Sequence, residues 1–105
     1  MGDAMRFLMK VTMPVEAGNA AAKNGFKALQ QILAEIKPEA AYFYADGGNR
    51  TGILIVNMSD ASQIPALAEP FFHSMKASVE IHPGMLPEDL QKAGPAIEAA
   101  VKKYS

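Results

Sequence analysis

EAAYFYADGGNRTGILIVNM, residues Glu39 to Met58, sets two apolar runs on either side of Asp46-Gly47-Gly48-Asn49. Gly-Gly between Asp and Asn tolerates positive φ, and the flanking runs are rich in Tyr, Phe, Ile, Leu and Val, so the stretch predicts a β-hairpin. Ala41, Phe43 and Ala45 fall on one face of its first strand, with Tyr42, Tyr44 and Asp46 on the other. Thr51 to Met58 is apolar on both faces around Ile53 to Val56, which marks a central strand.

Upstream, after a lead-in over Met1–Ala4, Met5 to Thr12 alternates: Met5, Phe7, Met9 and Val11 against Arg6, Leu8, Lys10 and Thr12. Pro14 closes this strand. Phe26, Leu29, Leu33 and Ile36 then recur at helical spacing, with Asn19 as the expected N-cap, Gly25 inside the helix and Lys37-Pro38 ending it. Downstream, Asp60 and Gln63 form a variant of a capping box. In the helix they open, Ile64, Leu67, Ala68, Phe71 and Phe72 continue at helical spacing, and Pro65 and Pro70 are expected to shorten, kink or split it. Met75 to His82 alternates again, Ala77, Val79 and Ile81 against Lys76, Ser78, Glu80 and His82, and stops at Pro83-Gly84. A terminal helix, broken at Gly94-Pro95, carries Leu90, Ile97, Val101 and Tyr104.

The order is β-α-β-β-α-β plus a C-terminal helix, an α+β, ferredoxin-like arrangement. Right-handed crossovers put both helices on one face of a four-stranded antiparallel sheet ordered 4-1-3-2. The 105 residues, half of them apolar and a fifth charged, suit one domain over the whole of 1–105. No apolar run reaches the roughly 18 residues of a membrane span, and the N-terminus lacks the features of a signal peptide, so the expected address is the cytoplasm. The absence of cysteine excludes disulfides, thiolate metal sites and cysteine nucleophiles. A net charge of −1 argues against charge-driven binding of nucleic acid. The third strand, without an aromatic or a charge from Thr51 to Asn57, also lacks the stacking platform of an RNA-recognition motif. The seven methionines read first as core filler.

On this topology the helix-free face collects Arg6, Leu8, Lys10, Thr12, Tyr42, Tyr44, Asp46, Lys76, Ser78, Glu80 and His82. The hairpin's first strand is an edge, and one bearing Tyr42-Phe43-Tyr44 invites association. A second copy packed face to face would cover it. The element order, the Asp46-Gly47-Gly48 turn, and Ala77-Ser78-Val79-Glu80-Ile81-His82-Pro83 followed by Pro87-Glu88-Asp89-Leu90 resemble the dimeric α/β-barrel superfamily, in particular its small bacterial members of unassigned role. Leu86 stands where Thr or Ser would be usual. The resemblance implies a homodimer. It also admits the activities found on such barrels, including cofactor-independent monooxygenases, muconolactone-isomerase-like enzymes, stress-response proteins and haem-binding peroxidases; a shared barrel does not choose among them.

The candidate site draws on residues assigned to the helix-free face, with Arg50 just past the hairpin turn. His82, with Glu80 two residues earlier, has the chemistry of a general acid or base, against the plainer role of a strand-end histidine. Tyr42 and Tyr44 could orient an aromatic ligand or line a dimer edge. Arg50 could hold a carboxylate or phosphate, and Lys10 faces Glu80 or Asp46 as an ion pair. His73 belongs at a helix end. Two histidines nine residues apart form no metal signature, and no cofactor is expected. The sequence therefore predicts a small-molecule-binding homodimer, with a stress-related role among those the resemblance admits and a pocket from Lys10, Tyr42, Tyr44, Arg50, Glu80 and His82. Catalysis is left open. The rivals are a cofactor-independent monooxygenase or isomerase using His82, and a structural dimer without ligand.

Overall fold

The computed structural model describes residues 4–105, so the first three residues of the expected lead-in lie outside it. The chain runs β1 (Met5–Thr12), α1 (Val15–Lys23), α2 (Lys27–Ile36), β2 (Ala40–Asp46), β3 (Asn49–Met58), a 3-10 turn (Ala61–Gln63), α3 (Ile64–Met75), β4 (Ser78–Pro83), α4 (Pro87–Lys92) and α5 (Gly94–Tyr104). The strands form one antiparallel sheet in the order β2-β3-β1-β4, the expected ferredoxin-like order read from the other edge. Gly47 and Gly48 both take positive φ, 59° and 82°, as a tight two-residue hairpin requires.

Register fixes the two faces. Met9 pairs with Leu54 and Ile81, and Val11 with Gly52 and Val79, all toward the helices. There Met9, Leu54 and Phe71 are at most 1 % exposed and pack with Val11, Val56, Ile32, Leu67 and Met75. Met9, Met13, Met58 and Met75 are all buried, so four of the seven methionines fill core space. The largest apolar contribution is Phe71, which α3 projects into the centre of the sheet.

The sequence expectation of one helix between β1 and β2 is corrected. Gly25 (φ 71°) and Phe26 (φ 57°) are both left-handed, and they end α1 before α2 begins. Phe26 N donates to Ala21 O at 2.9 Å and Gly25 N to Ala22 O at 3.0 Å, the paired bonds of a glycine-terminated helix end. Gly25 is thus a terminator, and Asn19 lies inside α1 rather than at its start. The second correction concerns β4, which begins at Ser78: Met75 closes α3 and Lys76, left-handed at φ 49°, caps it, so Lys76 lies off the sheet. Pro70 is accommodated within a continuous α3. The capping box holds: Gln63 Oε1 accepts from Ser59 N at 2.7 Å and Asp60 N at 3.0 Å. Asp89 supplies the bond that Leu86 lacks, its Oδ2 accepting from Leu86 N at 2.8 Å.

No residue of α4 or α5 is buried. With them the chain measures 56 × 34 × 19 Å and its radius of gyration is 17.1 Å, against about 13 Å for a compact chain of this length. The terminal helices extend away from the two-layer body.

Candidate functional site

On the helix-free face, cross-strand register aligns Tyr42, Ile53, Lys10 and Glu80 in one row. Tyr44, Thr51, Thr12 and Ser78 make the next row toward the hairpin turn; Ala40, Ile55, Leu8 and His82 make the row on the other side. Five of the six expected site residues therefore share this face. Strands lie about 4.8 Å apart, so Tyr42 and Glu80, three strands apart in spacing, stand roughly 14 Å from each other. Lys10 Nζ reaches over β3 to Asp46 Oδ2 at 2.6 Å. That hydrogen bond, then the charge of Asp46, raises the lysine above its ordinary value. The expected ion pair thus forms with Asp46, at a partly exposed position.

His82 Nε2 lies 3.7 Å from Glu80 Oε1, too long for a hydrogen bond, and the His82 side chain is 69 % exposed. Nothing among the described residues encloses the pair. At the far end of the face, Arg6 Nε donates to both oxygens of Glu39, at 3.0 and 2.9 Å, and Asn57 Nδ2 donates to Glu39 Oε1 at 3.3 Å. The hydrogen bond from Arg6, followed by that from Asn57, holds the Glu39 carboxyl below its usual range. Strand alternation does not reveal this cluster, because Glu39 precedes β2, which begins at Ala40.

Arg50 goes to the other face. It pairs with Ala45 one residue out of phase with Tyr44 and Thr51, and its Nη1 donates to Asn19 Oδ1 at 2.9 Å. The guanidinium stands 5.9 Å from the Phe26 ring centre and lies across buried Gly18, where a Cβ would come within 2.8 Å of Nη1. Arg50 lines a cleft of about 410 Å³ whose walls include Met13, Phe26, Leu29, Phe43 and Tyr44. The cleft exists because the helices cover β1 and β3 but leave the helix side of β2 open: Phe43 is 52 % exposed. Gly52, opposite Phe43, gives the ring room to lean over the strand. The arrangement offers apolar walls and a cation that has no acidic partner among the described residues.

His73 sits in the last turn of α3, 3.2 Å from Glu69 and 78 % exposed, at a helix end as expected. Among the described residues no group of three or more acidic or histidine side chains could hold a metal ion, and no helix is long and apolar enough to cross a membrane.

Residues 5–98 match the sequence profile of a family described as a domain of unknown function, DUF3303. No curated protein matches the chain. Two solved structures are similar in fold. One is an uncharacterised protein from Thermotoga maritima, with 11 % identity over 79 % of this chain and all of that one, at a TM-score of 0.56. The other is an unknown protein from Galdieria sulphuraria, with 11 % identity over 80 % of this chain and a TM-score of 0.52. This chain spans about half of the Galdieria protein, 47 % of its length.

Proposed function

The chain belongs to the DUF3303 family, and from this premise we propose that it is a small-molecule-binding protein acting as a homodimer of the dimeric α/β-barrel kind. The ligand is an apolar organic acid. The observation that carries this reading is the cleft of about 410 Å³ in which Arg50 is the one charged side chain among largely apolar walls. A volume of that size is within the range of small-molecule sites, and a guanidinium beside aromatic rings selects a carboxylate on an apolar body. Dimerisation is supported separately by the helix-free face, where Leu8, Tyr42 and Tyr44 are all more than 40 % exposed around Ile53 and Ile55. Residence in the cytoplasm accords with this reading.

The test is calorimetric titration of wild type and Arg50→Ala with aromatic and medium-chain carboxylates and their neutral amides. A hydrogen bond to a charged group contributes about 1.5–3 kcal/mol, so the variant should bind the acids roughly 10- to 100-fold more weakly and the amides unchanged. Equal affinity of wild type for acids and amides would sink the assignment. A second reading, a cofactor-independent monooxygenase or isomerase, is favoured by the placement of His82 and Glu80 on one face. For that reading, turnover of an aromatic or lactone substrate that survives His82→Ala would eliminate the histidine as acid or base.

A further inference from the structure

We infer that α4 and α5 form an arm that docks on a second copy of this chain; the inference rests on the homodimer reading above and deepens it. Ala93 (φ −80°, ψ −6°) is the single turn residue between the two helices, and Ile97 N donates to Ala93 O at 3.0 Å, so α5 follows α4 without an intervening loop. Ile97, Val101 and Tyr104 recur at offsets of four and seven, one stripe of α5, and Leu90 adds an apolar side chain on α4. All four are about half exposed or more, with Tyr104 at 78 %. The buried core is complete without them, since its residues run from Met9 to Ala77.

The root of the arm fixes where it leaves the body. Gly84 N donates to Arg6 O at 3.0 Å, extending the β1–β4 ladder by one residue, and Leu8 fills the space where a Cβ of Gly84 would be. Glu88 and Asp89 are near enough to help raise Arg6 above its ordinary value, after the larger effects of Glu39. The arm thus departs beside Arg6 and Leu8, residues of the helix-free face. One two-fold operation that brings two such faces together carries each arm toward the other protomer, and an isologous contact is satisfied twice.

Area favours the same occupant. Four strands of six residues have a footprint of roughly 400 Å², short of the roughly 800 Å² per partner that stable dimers bury. An 18-residue helical arm is about 27 Å long and about 10 Å wide. Each protomer both gives an arm and receives one, which brings its share to roughly 900 Å².

The test is sedimentation equilibrium of the full chain and of its Ile97→Asp/Val101→Asp variant, with lysine crosslinking of mixed light and heavy isotope-labelled protein. The expected result is a wild-type dimer whose crosslinks from Lys102 and Lys103 join light to heavy chains. The double variant should raise the dimer dissociation constant at least ~100-fold, because two side chains per arm lose their burial. Circular dichroism of the variant should match wild type, since neither residue is in the core. A dimer of unchanged affinity, or one whose arm crosslinks stay within a single chain, overturns the arm proposal and leaves the dimer reading standing. A wild-type monomer overturns both.

Discussion

Gly18→Ala tests whether the cleft is built as described. Gly18 lies in the interior of α1 and is buried. Alanine there should add about 1 kcal/mol through helix propensity alone. Against this, the new Cβ would meet Arg50 Nη1 at 2.8 Å and Cδ at 3.2 Å, so the arginine must shift. Its shift gives up the 2.9 Å bond to Asn19, worth about 0.5–1.5 kcal/mol, and weakens the contact with the Phe26 ring. The two effects nearly cancel. In an Arg50→Ala background the obstruction is gone, and Gly18→Ala should stabilise by the full ~1 kcal/mol. The coupling energy across the double-mutant cycle is therefore about 1 kcal/mol. Urea denaturation reads it directly: with a slope of about 1.5 kcal/mol per molar, the midpoint should rise by roughly 0.7 M in the Arg50→Ala background and stay within roughly 0.3 M of its parent otherwise. Gly18→Ala alone should also weaken carboxylate binding, because the guanidinium is shifted from its place in the cleft. A loss of more than about 1 kcal/mol in both backgrounds would refute the reasoning, since the glycine would then be accommodating something other than Arg50.

Two further outcomes concern the body of the fold. Phe71→Ala removes a core side chain that is 1 % exposed and should cost about 3–5 kcal/mol in chemical denaturation; a loss below about 1 kcal/mol would mean that α3 does not pin the sheet. Glu39 makes stability depend on acid pH: its folded carboxyl is held below the usual range by Arg6 and Asn57. Its contribution is present above the unfolded value of roughly 4.3 and is lost as pH falls through the lower folded one. Glu39→Gln should flatten that limb, and wild-type and variant stability profiles that stay parallel from pH 6 to 2.5 would exclude the effect.

The fold was legible wherever one period dominated. Strict alternation located β1 to the residue, and Gly47-Gly48 between aromatic and aliphatic runs located the hairpin. Two boundaries were obscured for different reasons. Phe26 sits three residues before Leu29 and so joined the helical stripe by count, although its backbone is left-handed; the signal that separates α1 from α2 is Asn24-Gly25 directly after Lys23, a helix terminus in sequence form. Met75, Ala77 and Val79 alternate, but Met75 also completes the i, i+4 row from Phe71, and at a helix–strand junction the packing of Phe71 and Met75 in one core decides in favour of helix. For the site, parity alone would have moved Arg50: it is in phase with Gly52, Leu54 and Val56, all on the helix side. That the helices stop short of β2 is tertiary information with no local signal.

Because a sheet separates what its two faces carry, the residues expected to form one pocket divide into two groups with different physical tasks. Lys10, Tyr42, Glu80 and His82 stand on the helix-free face, which the proposed second copy would cover, whereas Arg50 lines a cleft with largely apolar walls. Assembly and ligand binding are then separable in principle, since the strand backbones of β2 and β3 lie between them. Tyr44 is the exception. It belongs by register to the helix-free rows, yet at the sheet edge it also borders the cleft. Any coupling between a ligand beside Arg50 and a second copy across the sheet has its shortest path through this one side chain, because no other residue of the expected set touches both surfaces.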